Sequence, residues 1–343
     1  MKKQSQLNVV LAGCGGISRN WLQAVENYPG LTIVGLVDLN RENALAVQQS
    51  FQLSQAYIGT DVGHVIEESG ANIVFDCTVP EAHIHVTLEA LKRGCHVLGE
   101  KPMADTMANA RKMLAAAQQS GKLYAVMQNR QFLDGIVRFR QLLASQQIGA
   151  LTTLNADFYL GAHFGGFRDQ MEHVLLLDMA IHSFDQARYI SGADPVSVYC
   201  HEWNPAGSWY QHDASAVAIF EMTNGIIFTY RGSWCAEGMN TTWECGWRAI
   251  GERGTALWDG GDDISGEVVT GTEGFIREQR LVELSDVPKL SHTGHAGVIH
   301  NFLDCVQHGK IPQTICTDNI KSLAMVHAAI ESAATGKKVN IRY

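Results

Sequence analysis

No apolar run in this 343-residue chain approaches the about 20 residues that a bilayer-spanning helix needs. Basic charge is also short. The 26 Lys and Arg are outnumbered by 35 Asp and Glu, which leaves a net charge of −9 with neutral His. That balance excludes the positive footprint required by duplex nucleic acid or an anionic membrane surface. No two of the eight cysteines form a CxxC pair. Cys14, Cys77, Cys95, Cys200, Cys235, Cys245, Cys305 and Cys316 stand singly, several of them in apolar segments. The expectation is reduced, buried thiols in a cytoplasmic protein, with neither a disulfide frame nor a metal site. The basic start Met1-Lys2-Lys3 is not followed by the about 7–15 apolar residues of a secretion signal, because Gln4, Ser5, Gln6 and Asn8 interrupt the run. What is present is a composition 46% hydrophobic and 18% charged. It supports an ordinary core and excludes disordered and fibrous classes. At about 100–200 residues per domain, the length predicts two or three domains.

The first 130 residues repeat one pattern. Apolar runs at 7–12, 31–37, 71–77, 95–99 and 123–127 read as strands. Amphipathic stretches at 17–27, 41–50, 81–93 and 104–120 read as helices. Short buried strands alternating with helices predict a doubly wound parallel sheet covered on both faces, with ligands at the carboxyl ends of its strands.

Gly13-x-Gly15-x-x-Ser18 follows the first strand and opens the first helix. Gly13 permits the tight turn, Gly15 lets a pyrophosphate approach the backbone, and the helix start supplies free N–H groups. Ser18 stands where a third glycine is usual. Asp38 ends the second strand, where a carboxylate accepts hydrogen bonds from an adenosine ribose and repels a 2′-phosphate. These features together predict dinucleotide binding, with NAD favoured. Arg41, three residues on, keeps NADP open.

His96-Val97-Leu98-Gly99-Glu100-Lys101-Pro102 puts Glu100 and Lys101 at the ligand edge of the sheet, and Pro102 disfavours helix at Lys101. With these residues the chain resembles the Gfo/Idh/MocA oxidoreductases. The resemblance rests on Ala12-Gly13-Cys14-Gly15-Gly16-Ile17-Ser18, on Asp38, on the segment from Thr78-Val79-Pro80 through His83 to Gly94, and on Gly99-Glu100-Lys101-Pro102. It extends to residues 317–341 at the end of the chain. It implies a Rossmann domain (1–128) followed by an α/β domain with a large, open, mostly antiparallel sheet (129–343). The C-terminal helix and last strand are left free to pack back on the first domain. It also implies cofactor contacts at Gly13, Gly15, Gly16, Ile17, Asp38, Arg41, Thr78, Pro80, His83, Glu100, Lys101 and Gln128.

In the second domain, residues 175–185 read as a helix. Leu176, Met179, Ala180, Ser183, Ala187 and Ile190 form an apolar stripe, and Asp178, His182 and Asp185 form a second stripe on another face. By itself such a pair is more often an ordinary buried helix with a hydrogen-bonded histidine or an ion pair. The resemblance makes Asp178-x-x-x-His182 the catalytic motif, although Glu172-His173-Val174 stands where the family more often has glycine. Oxidising a secondary alcohol needs a base for the hydroxyl proton and a cation for the developing alkoxide. His182 is assigned as base, Lys101 as electrostatic partner and Asp178 as orienting group. Arg130, His163, Arg168 and His173 are further candidates for substrate contact. The six tryptophans from Trp203 to Trp258 are read mainly as packing or interface. His292, His295, His300 and His308 are read as helix-end and surface residues.

The expected function is hydride transfer between NAD(P) and a secondary alcohol or ketone of a sugar, polyol or related small molecule. The expected assembly is a homodimer or homotetramer formed through the open sheet. Two alternatives known among relatives remain: a hydrolase that cycles tightly held NAD, and a non-enzymatic nucleotide sensor.

Overall fold

The computed structural model describes residues 6–343; the basic start of the signal-like segment lies outside the described residues. Two compact units divide the chain. The first comprises the residues up to Asn129 together with Ser291–Ile320. The second comprises Arg130–Leu290 and Lys321–Tyr343.

The first unit opens with β1 (Leu7–Ala12), α1 (Gly16–Val25), β2 (Leu31–Val37), α2 (Arg41–Ser50), β3 (Tyr57–Gly59) and α3 (Val62–Ser69). It continues with β4 (Ile73–Asp76), α4 (Pro80–Lys92), β5 (His96–Gly99), α5 (Met107–Ser120) and β6 (Tyr124–Val126). All six strands pair in parallel, in the order β3-β2-β1-β4-β5-β6. Every residue of the central strand β4 is buried, which is why its sequence shows no alternation. The order reverses between β1 and β4, and the loops after these strands flank the crevice where such sheets bind ligands.

The second unit contains α6 (Asp134–Ala144), β7 (Leu151–Tyr159), α7 (Ile181–Ser191), β8 (Pro195–Trp203), β9 (Ser215–Met222) and β10 (Ile227–Ser233). It adds β11 (Gly246–Gly251), β12 (Gly254–Trp258), β13 (Ile264–Val269) and β14 (Gln279–Leu281). After these come α8 (Gly294–His308), α9 (Cys316–Thr335) and β15 (Val339–Asn340). The nine-stranded sheet runs β14-β13-β12-β11-β7-β10-β9-β8-β15, with only β7 and β10 parallel. The last strand pairs with β8 in this sheet. Burial alternates along β7 and β8, so one face is packed and the other open. Phe158, Phe184, Phe220, Phe228, Trp247 and Trp258 fill the packed side.

Helix α8 belongs to the first unit. Asp304 accepts a hydrogen bond from the Tyr28 hydroxyl at 2.5 Å, and His300 meets the Ala24 carbonyl at 2.9 Å. All eight cysteines are free thiols, seven of them buried. Burial pushes Cys200, Cys245 and Cys316 up to about 12. No helix among the described residues is long and apolar enough to cross a membrane.

Candidate active site

The turn between β1 and α1 is built largely from backbone. Gly13 has φ +85°, and a Cβ there would lie 2.6 Å from the Cys77 carbonyl group and 2.8 Å from the Thr78 nitrogen. Glycine is therefore required at this position by the protein itself. Gly15 and Gly16 differ, because a Cβ at either meets nothing within 4 Å. Their missing side chains leave open space in front of a helix start that no side chain caps. Ser18, in the third-glycine position, is buried, and its hydroxyl donates to the Gly15 carbonyl at 2.6 Å.

Asp38 is tied to that turn. Its Oδ2 accepts the Cys14 N–H at 2.8 Å, while Oδ1 accepts the Asn40 N–H at 2.8 Å and the Asn43 amide at 3.2 Å. Arg41 reaches the Ile58 carbonyl at 3.4 Å. Leu39 and Val79, on the loops after β2 and β4, are 91% and 62% exposed. Below the turn, Asp76 accepts from the Thr78 hydroxyl at 2.5 Å and from His83 Nδ1 at 2.9 Å. The structure thus places His83 inward, 1% exposed, on the helix that Pro80 begins. Burial disfavours its cation, but the charge and hydrogen bond of Asp76 outweigh that and raise its pKa.

At the end of β5, the Glu100 carboxylate accepts from Trp21 Nε1 at 2.8 Å and from the Lys101 N–H at 3.1 Å. His295, from the start of α8, brings Nε2 to 3.9 Å from Glu100 and its Nδ1 to 3.4 Å from the Asn129 amide nitrogen. Burial holds the His295 pKa down, and Lys101 adds to the effect while Glu100 opposes it. Gln128, just past β6, is 1% exposed, and neither its amide oxygen nor its amide nitrogen has a partner. Neither His295 nor Trp21 was a candidate from sequence. Nothing in the local pattern around His295 marks it, because its neighbours come from the far end of the sequence.

In the second unit the helix expected over 175–185 is only partly α. Leu175–Ala180 is a π-helix, and α7 begins at Ile181. Such wide turns are frequent at functional sites. The spacing expected for an α-helical polar stripe therefore does not hold across Asp178 and His182. Asp178 lies on the π-helical segment and accepts from Arg168 Nε at 2.6 Å. The Arg168 guanidinium in turn lies 5.0 and 4.8 Å from the Phe164 and Phe167 ring centres. Nor is α7 two-faced, since nearly every residue in it is buried. His182 is 8% exposed. One turn further, Asp185 accepts from the Gln131 amide at 2.7 Å and from the Ser322 hydroxyl at 2.8 Å, which fixes the helix from two sides. Arg130 donates to the Trp243 carbonyl and lies 3.5 Å from Glu244. His173 Nδ1 meets Glu202 Oε2 at 2.7 Å. His163 stacks on Trp209 at 3.7 Å. Trp234, Trp247 and Trp258 are core residues, whereas Trp203 and Trp243 are 39% and 45% exposed.

Residues 7–128 match the model of an oxidoreductase family with an NAD-binding Rossmann fold, and residues 136–257 match the GFO/IDH/MocA C-terminal domain. The chain is 28% identical to the uncharacterized protein y4oX of Sinorhizobium fredii, over 97% of this chain and 95% of that one. It is 23% identical to the 1,5-anhydro-D-fructose reductase of Ensifer adhaerens, over 96% and 97% of the two chains. An Agrobacterium radiobacter oxidoreductase, solved with NAD+, L-tartaric acid and magnesium, superposes with a TM-score of 0.84 at 21% identity, covering 98% of both chains.

Proposed function

The chain belongs to the GFO/IDH/MocA family of NAD-binding oxidoreductases, and on that premise we propose that it transfers hydride between NAD and a secondary alcohol or ketone of a sugar, polyol or related small molecule. The reading is carried by the open space at Gly15 and Gly16. Nothing in the protein needs glycine there, whereas a pyrophosphate against the α1 N-terminus does. The partnerless buried amide of Gln128 and the exposed Leu39 and Val79 fit the same cofactor. The two apolar side chains suit the faces of an adenine ring, and the amide suits a carboxamide. NAD, when bound, supplies the acceptor or donor of hydride.

The chain's own groups then have distinct tasks. Gly13, Gly15, Gly16 and Ile17 hold the pyrophosphate, and Thr78 and Pro80 form the opposite wall, braced from below by His83. Glu100 holds the backbone of Lys101, whose ammonium stabilises the substrate oxygen as it gains negative charge. His182 takes the hydroxyl proton. Asp178, clamped by Arg168, orients the helix start that carries His182, and Arg130 contributes to substrate binding. Asp38 selects NAD, because its carboxylate repels a 2′-phosphate and Arg41 is turned to the Ile58 carbonyl. A protein with eight free thiols suits the cytoplasm.

The open face of the second sheet supports a homodimer or homotetramer. Val196, Tyr199 and Trp203 of β8, with Ile219 of β9, lie there 39–47% exposed. Titration with NAD and NADP, followed by turnover on polyols, aldoses and inosose-like ketones, tests the reading. Tighter NADP binding overturns the cofactor choice, and product formation without NADH accumulation points instead to a redox-cycling hydrolase.

A further inference from the structure

His173 and Glu202 form a carboxylate–imidazole pair that the roles above leave unused. His173 precedes the π-helical segment, and its carbonyl accepts the Leu177 N–H at 3.0 Å. Its φ of +51° lies in the left-handed region that favours glycine. A histidine keeps such a backbone only where its surroundings hold it, and such positions cluster at ligand sites. The hold is visible. His173 Nδ1 lies 2.7 Å from Oε2 of Glu202, near the end of β8. The Glu202 side chain is 2% exposed, and its other oxygen, Oε1, is buried without a partner. A carboxylate buried this far with half its hydrogen-bonding capacity unmet is costly. A strained backbone and a costly burial therefore converge on one ring.

That ring is not itself sealed in, because the His173 side chain is 30% exposed. Nδ1 faces Glu202, so Nε2 is the edge left for a ligand. The hydrogen bond that Nδ1–H donates to Glu202 favours the imidazolium, with further support from the charges of Glu202, Glu172 and Asp213 against the opposing effect of burial. Nε2 therefore keeps its proton, as a donor, to higher pH than in an ordinary histidine. Nearby in sequence, Arg168 sits over two phenylalanine rings and His163 stacks on Trp209.

We infer that His173 contacts the substrate and sets specificity, presenting Nε2–H to an oxygen of a polyhydroxylated compound, and that Glu202 is the positioning residue for its ring. This rests on the oxidoreductase reading above. The test uses the full chain with saturating NAD or NADH, and myo-inositol, 1,5-anhydro-D-fructose and L-tartrate as probes. His173→Gly relaxes the backbone at this position but leaves the Glu202 carboxylate without its partner, so a thermal melt checks its fold, and the double variant His173→Gly/Glu202→Gln, which removes the stranded charge, must show the same rise in KM. Glu202→Gln keeps size and an acceptor oxygen but removes the charge. His173→Gly is expected to raise KM for a turned-over probe about ten- to hundredfold, the range for losing a hydrogen bond to a charged group, with kcat far less affected. Glu202→Gln is expected to move both the KM–pH profile and the titration of the His173 ring nitrogens to lower pH. Unchanged KM in His173→Gly, or a ring that titrates alike in wild type and Glu202→Gln, overturns the inference. If no probe is turned over, the oxidoreductase reading fails on that panel. The ring still decides separately: a shift of the His173 Nε2 resonance with any probe upholds the contact, and no shift with all three overturns it.

Discussion

The dinucleotide turn and the His182 helix meet opposite physical demands. The turn works by what it omits: two side chains absent at Gly15 and Gly16, a helix start without a cap, and one carboxylate, Asp38, gathering backbone N–H groups. The helix works by enclosure. It is buried on nearly every side, with Asp185 bonded from two directions and Asp178 clamped by Arg168. A site that binds phosphate through backbone tolerates side-chain change but not added volume. If His182 is the base proposed above, its helix tolerates neither loss nor misplacement of that one ring.

The largest effects should come from the second kind of site. His182→Ala is expected to lower turnover by about 10²–10⁴, with NAD affinity nearly unchanged in a fluorescence titration. Near-full activity would overturn the assignment of His182 as the base. Lys101→Met probes whether the comparison divides by unit or by chemistry. It lies in the first unit, yet it should cost turnover about 10²–10³, as loss of one oxyanion donor does. Within the turn, two alanines should separate. Gly13→Ala meets backbone at 2.6 Å in a left-handed conformation. It should destabilise the fold by at least about 1–3 kcal/mol in a denaturant melt. Gly15→Ala meets nothing, so it should melt normally and lose NAD affinity. Equal behaviour of the two would contradict the open-space interpretation.

Smaller effects sharpen the picture further. Asp38→Ala should reduce the preference for NAD over NADP. It should also weaken both nucleotides, because the Cys14 N–H loses its acceptor. A clean exchange of preference at full affinity would show that Asp38 has only the first task. Trp203→Glu, on the open sheet face, should shift sedimentation from dimer or tetramer towards monomer. Least of all, pH should act through His83. Its pKa is raised in the fold, so its contribution to stability is present below the unfolded value of about 6.5 and lost as pH rises through the folded value. Melting temperature should therefore fall slightly from pH 6 to pH 8.5, and less so in His83→Gln.

The first unit was largely legible because a parallel strand covered on both faces is one continuous apolar run. Leu7–Ala12 and Leu31–Val37 coincide with the strands expected. Tyr57–Gly59 and Val62–Ser69 were missed: the strand is a short, poorly buried edge strand, and the helix follows it within a few residues. The polar spacing around His182 was legible as a motif, but not as geometry. A π-helical turn at Leu175–Ala180 depends on what surrounds three consecutive leucines, and no local propensity announces it. His295 beside Glu100 and His173 against Glu202 were equally invisible as partnerships, since each joins residues 29 or more positions apart.

The return of Ser291–Ile320 to the first unit has a consequence during synthesis. The six parallel strands are complete once Val126 has left the ribosome, but Thr314, whose carbonyl accepts the Val126 N–H at 3.0 Å, is not yet translated. From Arg130 through Ile320, 191 residues must still be translated. At about 5–20 residues per second, that is a wait of about 10–40 s. Throughout it, the α1 surface that α8 will cover, around Ala24 and Tyr28, is bare. The nascent first unit thus keeps that surface exposed until Ser291–Ile320 emerges to cover it.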